Sequence, residues 1–308
     1  MPLPPPHTQP PAPSTSTLLF LPGLSDGPLT VPYTRTLASR LPAGWRLVEP
    51  ILSSGYRQWG ISGLGGDVKE VEDLVGYFAG GEEGKGERGR ENNVVLMGHS
   101  TGCQIIVHYY LSPTTTTAGQ GKAAAGGGKS GGVAQRPKIS GGIMQGGVSD
   151  REAIAMMVED EECEEVCQVA RQYVDEGRGE DVLPSRYTKE LFHSAPVSAR
   201  RWLSLATRGG EDDYFSSDFG EERLGEVFGG LGRVGARVAF LFGGEDQYVA
   251  AGVDREGMVK KWEKPVRDNG GVVDEVSGIL EGASHNLKEG GDVVEDMVNR
   301  VTGFLARS

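Results

Sequence analysis

The chain has 308 residues, 37% of them hydrophobic, and a formal net charge of −12. That length can bury one large core, and the acidic balance does not suggest a nucleic-acid or anionic-membrane partner. Cys103, Cys163 and Cys167 are too few, and odd in number, for a disulfide framework; two thiols four apart on a helix make a poor zinc site without further ligands.

Residues 1–17 (MPLPPPHTQPPAPSTST) are proline-rich, lack the basic start and apolar stretch of a signal peptide, and read as a disordered tail. Thr17 to Pro22 (TLLFLP) predicts a buried strand running into the turn Gly23-Leu24-Ser25-Asp26-Gly27, and Trp45 to Ile51 predicts a second strand. From Asp67 onward, Val68, Val71, Leu74, Val75 and Phe78 recur on one helical face, followed by a polar loop at 80–92. Asn93 to Met97 (NVVLM) is apolar without alternation, as expected of a central strand buried on both faces, and Thr101 to Leu111 reads as a helix.

Residues 112–137 are low-complexity Thr, Ala and Gly. They cannot bury enough apolar surface to offset their ordering entropy, so a disordered surface loop is expected. The sheet resumes at Ile139 to Gly147, and residues 151–230 look helical. Val238 to Phe242 (VAFLF) is another buried strand, Val272 to Val276 a weaker one, and Val293 to Leu305 a closing amphipathic helix. Alternating strands and helices imply an α/β fold, with a mostly parallel central sheet covered by helices on both faces. The expected organisation is one domain over 18–308, with 151–230 as a helical lid. No run is long enough to span a membrane, and a cytoplasmic location is the default expectation.

The chemistry starts at Gly98-His99-Ser100-Thr101-Gly102, a Gly-x-Ser-x-Gly pattern immediately after a buried strand and immediately before a helix. A turn that tight needs small flanking residues, lifts the Ser100 hydroxyl above the sheet edge, and aims the Thr101 N–H at an oxyanion on the substrate. Serine needs a base within hydrogen-bond reach. Of five histidines, His7 falls in the tail, His99 inside the elbow, His108 on the following helix and His193 in the lid block. His285, in the loop Gly282-Ala283-Ser284-His285-Asn286 between the last strand and last helix, is the expected base.

The orienting acid belongs in a loop after a strand between Ser100 and His285, and Asp246, directly after VAFLF, is the choice. Glu245 beside it is one competitor. Asp150 after the Ile139 strand is another, although its surroundings suggest a helix cap. The second oxyanion donor is expected from the turn after TLLFLP, with the N–H of Leu24 preferred to that of Ser25. Gly84-Lys85-Gly86-Glu87-Arg88-Gly89 mimics a dinucleotide fingerprint with no strand before it, and Gly128-Lys129-Ser130 mimics the end of a P-loop with Ala123 where glycine is required. No cofactor and no metal are therefore expected.

Taken together, Gly23-Leu24-Ser25-Asp26-Gly27, Pro50-Ile51-Leu52-Ser53-Ser54-Gly55-Tyr56, Met97-Gly98-His99-Ser100-Thr101-Gly102-Cys103-Gln104, Val148-Ser149-Asp150-Arg151-Glu152 and Asp212-Asp213-Tyr214-Phe215-Ser216-Ser217-Asp218 resemble a fungal α/β-hydrolase family that includes siderophore (fusarinine C) esterases. The resemblance runs from about Leu18 to the C-terminus and skips the low-complexity stretch. It implies an α/β-hydrolase fold and a serine esterase that opens ester bonds of a hydroxamate siderophore inside the cell, freeing its iron, with Ser100, Asp246 and His285 at matching positions. Tyr214 and Phe215 are candidates to line the substrate cleft, against the plainer reading of a capped helix start. Tyr56 and Trp59 are either cleft aromatics or loop anchors. An acyltransferase with the same triad and a non-catalytic binding protein of the same fold are the rival readings.

Overall fold

Each long strand of the sheet has two apolar faces, and the parity of its side chains decides which core each one enters. Leu19, Leu21, Val94, Leu96, Val238, Phe240 and Phe242 point into one core, whereas Leu18, Phe20, Val95, Met97, Ala239 and Leu241 point into the other. The structure, a computed structural model, describes residues 16–80, 92–113, 136–189 and 195–308. Residues 1–15 of the expected tail, 81–91 of the polar loop, 114–135 of the low-complexity stretch, His7 and His193 lie outside the described residues.

The strands are β1 (Ser16–Leu21), β2 (Trp45–Val48), β3 (Val94–His99), β4 (Gly141–Gln145), β5 (Arg237–Gly243), β6 (Val272–Val273) and β7 (Gly278–Leu280). They form one parallel sheet of order β2-β1-β3-β4-β5-β6, with β7 also pairing with β5. The apolar run expected as a weaker strand over Val272 to Val276 is thus split. Val272 and Val273 pair early along β5, a turn at Asp274–Ser277 follows, and the chain rejoins β5 at Gly278.

Helices α2 (Leu64–Ala79), α3 (Gly102–Leu111), α7 (Glu221–Arg233) and α8 (Arg255–Asp268) pack on the first core through Val68, Val71, Val75, Ile105, Ile106, Phe228 and Trp262. Helices α1 (Thr34–Arg40) and α9 (Gly291–Ala306) cover the other face with Leu37, Met297, Val298, Val301 and Phe304. Neither α1 nor α8 is marked by a long apolar period in the sequence. The first has only seven residues and the second carries Pro265 inside it.

Within the helical block expected after β4, α4 (Asp150–Ala155), α5 (Asp160–Asp175) and α6 (Ala199–Ala206) share a third core of their own, built on Ile154, Val166, Cys167, Ala170, Leu183 and Trp202. Helix α7 belongs instead to the sheet, with Leu224, Val227, Phe228 and Leu231 in the first core. The α4–α6 unit stands over the carboxyl ends of β1, β3 and β4, touching the body through Leu24 and Trp59. Cys163 and Cys167 lie on α5 as free thiols; Cys167 is buried and accepts a hydrogen bond from Trp202 Nε1 at 3.2 Å.

The close approach of β1, β3 and α3 leaves no room at two glycines. A Cβ on Gly102 would collide with the Leu21 carbonyl oxygen, and one on Gly98 with the Gly102 backbone. Gly102→Ala should therefore cost about 1–3 kcal/mol through overpacking, lowering Tm by about 3–10 °C. A Cβ at Gly225 on α7 meets open space, so Gly225→Ala should leave Tm unchanged or raise it. Thermal unfolding of the two variants side by side checks this; equal melting points would refute the clearance.

Candidate active site

The parallel sheet aims the carboxyl ends of β1, β3, β4, β5 and β7 at one edge, where the chain reverses into loops. The strand order turns back between β1 and β3, which is where such sheets form a crevice. Ser100 follows β3 directly and has φ of 54°, a left-handed conformation unfavourable for a residue with a side chain. Its N–H donates to the Gln145 carbonyl at 3.0 Å, and its carbonyl accepts from Cys103 N–H at 2.8 Å, so strand and helix both grip the turn.

Across the sheet, His285 Nδ1 lies 2.7 Å from Asp246 Oδ2. The other carboxyl oxygen of Asp246 accepts the Tyr248 N–H at 2.9 Å, and the side chain is 1% exposed. With both oxygens engaged as acceptors, Nδ1 carries the imidazole proton and Nε2 keeps a lone pair. The His285 main chain is held as well: its N–H donates to Gln247 Oε1 at 3.1 Å, and its carbonyl accepts from Gln145 Nε2 at 3.1 Å. Glu245, the neighbouring competitor, is exposed. Asp150 does not reach the imidazole; its Oδ2 accepts from Gln104 Nε2 at 2.9 Å. Nor is Asp150 the helix cap, because Ser149 caps α4 by accepting the Glu152 N–H at 3.2 Å.

Gln145, the last residue of β4, ties these parts together and was not singled out from sequence. Its Nε2 must face the His285 carbonyl, so its Oε1 accepts from Tyr33 Oη at 2.6 Å and from His99 Nδ1 at 2.6 Å. His99 is therefore the Nδ1–H tautomer. Burial and the nearby His285 ring push its pKa down to about 3, against the Gln145 hydrogen bond. A polar residue ending an otherwise apolar buried strand (GGIMQ) was the available signal.

Ser100, His285 and His99 line a cleft of about 720 Å³ together with Leu24, Tyr56 and Asp150. The N–H groups of Leu24 and Thr101, expected as oxyanion donors, are not used in turn or loop hydrogen bonds among the described residues. Gly23 lies so close that a Cβ there would come within 2.7 Å of the Ser100 Cβ. Trp59 is a loop anchor, not a cleft aromatic: it is buried, and its Nε1 donates to Ser25 Oγ at 3.0 Å, bracing the Leu24 turn from behind. Tyr56 is at the cleft, with its N–H bonded to the Asp26 carbonyl at 2.9 Å. Tyr214 and Phe215 do not line the cleft. Phe215 packs against Phe228 and Trp262 in the first core, and the Tyr214 hydroxyl meets His108 Nδ1 at 2.8 Å. The carboxylates of their sequence block are engaged elsewhere as well: Asp212 and Asp213 are buried and answer Arg201, Ser204 and Ser216 inside the protein, and Asp218 pairs with Arg151. Among the described residues no group of His, Cys, Asp and Glu side chains could hold a metal ion, and no helix is long and apolar enough to cross a membrane.

A seven-stranded parallel sheet with helices on both faces and such a constellation at its carboxyl edge defines an α/β hydrolase. Residues 7–306 match the family described as protein of unknown function (DUF1749), and the chain belongs to that family. It is 35% identical to fusarinine C esterase sidJ of Aspergillus fumigatus, over 94% of this chain and 88% of that protein. It is 33% identical to esterase AN6793 of Emericella nidulans, over 94% of this chain and 86% of that one. Among solved structures it is similar to siderophore hydrolase EstB from Aspergillus fumigatus, with a TM-score of 0.77 and 31% identity over 97% of this chain and 92% of that chain.

The buried His99 gives a pH signature. In the unfolded chain it titrates near 6.5, so from there down to about 3 the unfolded state binds the extra proton and stability falls as pH drops. Imidazole NMR should find His99 in the Nδ1–H tautomer and untitrated at about pH 4. A His99 midpoint near 6.5 would show that the ring is not buried as described.

Proposed function

We propose that the chain is a serine esterase that opens ester bonds of a hydroxamate siderophore such as fusarinine C by a two-step acyl transfer, inside the cell. The pairing of His285 Nδ1 with the buried Asp246 carboxyl at 2.7 Å, in a loop lining the same cleft as Ser100, carries this reading. The relatives named for siderophore and fusarinine C hydrolysis support the substrate class.

In the proposed reaction the Ser100 hydroxyl attacks the ester carbonyl while His285 Nε2 takes its proton. Charge builds on the carbonyl oxygen, and the N–H groups of Leu24 and Thr101 receive it. Asp246 stabilises the imidazolium without taking a proton itself. His285 then protonates the departing alcohol, and water, activated by the same ring, releases the acid and restores Ser100. The iron travels with the substrate as cargo. The α4–α6 unit acts as the cover of the cleft.

Intact-mass labelling with a fluorophosphonate should modify the wild type once and Ser100→Ala not at all. Hydrolysis of ferric and iron-free fusarinine C, followed by mass spectrometry, reads the substrate. Labelling without cleavage of either form would discard the siderophore, and absence of labelling in folded protein would discard the esterase. Asp246→Asn should lower kcat by roughly 10³–10⁴-fold by disturbing the imidazole tautomer. Glu245→Gln, exposed and outside the pairing, should leave kcat within about twofold; equal losses in both variants would reassign the acid.

A further inference from the structure

The acyl-transfer scheme leaves one buried acid of the cleft without a task. Asp150 opens α4 and lines the same cleft as Ser100, yet it is only 9% exposed. Burial grades the cleft from mouth to floor. Tyr56 and Met157 are about half exposed at the mouth, at 46% and 53%, whereas Val148, Ala153, Ile154 and Leu205 are buried. Asp150 belongs with the second group and is the one carboxyl among these buried residues that lines the cleft. One of its oxygens is held by Gln104, itself fixed by a bond from the same amide nitrogen to the Val148 carbonyl at 3.1 Å. The other takes no hydrogen bond among the described residues, and Asp150 lines the cleft.

A buried carboxyl in an apolar wall, pre-set by a glutamine, is a device for recognising one polar atom amid hydrocarbon. We infer that Asp150 is a specificity residue of the cleft, donating a hydrogen bond to an uncharged acceptor, such as an amide or hydroxamate carbonyl oxygen, on the acyl group seated against Val148, Ile154 and Leu205. The inference rests on the esterase reading and adds what the bound acyl group must carry.

The surroundings keep the donor proton in place. Burial is the largest cause and raises the Asp150 pKa to about 8; Asp212 and Asp213, in the loop after α6, push the same way, while Arg201 on α6 and the Gln104 bond oppose them. Cys103 on α3 is a buried thiol held well above its usual range, and so neutral. On Asp150's own helix, Arg151 turns away to Asp218 at 2.6 Å. Across the cleft His99 is neutral as well. Arg201 is already engaged by Asp212 and by the Trp59 carbonyl, so it does not strip the proton from Asp150. Ionisation above pH 8 removes the donor, and with it the recognition.

The test uses the full chain and pairs of p-nitrophenyl esters of matched length: N-acetyl-ω-aminoacyl esters of increasing chain length, each against the straight alkanoate of equal length. Wild type should prefer at least one amide-bearing ester by about tenfold or more in kcat/KM. Asp150→Asn, which can keep Gln104 satisfied and still present an N–H to the cleft, should retain that preference. Asp150→Leu should lose it, its kcat/KM falling further for the amide-bearing esters than for the matched alkanoates. Within each pair the demand for neutral His285 cancels. The wild-type preference should therefore decline as pH rises through about 8, and that of Asp150→Asn should stay level. Should the leucine variant not fold, this pH contrast decides. Hydrolysis of both series with no preference, a preference that survives in Asp150→Leu, or one independent of pH in wild type would overturn the assignment. Absence of hydrolysis of every ester would instead strike the esterase reading on which it rests.

Discussion

The left-handed backbone at Ser100 is the constraint around which the rest is arranged. A non-glycine residue at φ 54° is held against a penalty of about 1–3 kcal/mol. It persists because β3 and α3 are fixed independently, the strand between β1 and β4 and the helix against α2 and the sheet. The turn between them has no freedom left, and the glycines at 98 and 102 are what let β1, β3 and α3 approach so closely. The strain is thus borne by the two cores. Its product is a hydroxyl raised above the sheet edge, in the mouth of a crevice that the strand order creates.

One polar spine crosses the otherwise apolar interior beneath that turn. Gln145 reaches the Ser100 N–H through its main chain and Tyr33, His99 and the His285 loop through its side chain. In low dielectric such a network is rigid when every member is satisfied and expensive when one is not. It therefore keeps the β3 turn and the loop after β7 in register, although more than half the length of the chain separates them. The neutral state of His99 follows from the same burial, and it leaves His285 as the cleft imidazole that is backed by an acid.

The cleft is asymmetric. On one side stand the turn after β1, Tyr56 and the His285 loop, which are polar and open; on the other stand Ala153, Ile154 and Leu205 of α4 and α6, which are apolar and buried, with Asp150 the one carboxyl that these two helices present to the cleft. The second side belongs to a unit with its own core around Trp202. On the proposed reading, substrate selection and acyl transfer reside on different parts of the fold, joined by the loop from β4 into α4.

Patterns carried within a few residues were legible in the sequence. The buried runs of β1, β3 and β5, the glycine-flanked serine between strand and helix, and the histidine before the last helix all signal locally, because burial on both faces and tight turns restrict residue choice at each position. Asp246 could be placed after β5, but only the folded chain separates it from Glu245 one residue away: the backbone beyond Gly243 turns one carboxyl inward to His285 and leaves the other in water. Likewise Tyr214 and Phe215 share a sequence block with aspartates that invited a ligand-binding reading, and tertiary packing against Trp262 and His108 assigned them to the core. Gln145 and Asp150 stand out locally only as polar residues at the end of a buried strand and the start of the next helix; their partners lie dozens of residues away or more, and only the fold brings them together. Sequence by itself determined the long buried strands β1, β3 and β5, where the glycine-flanked serine turn lies and which loop holds the histidine beside it; the tertiary structure decided which polar groups face the cleft, because that depends on which distant element closes over them.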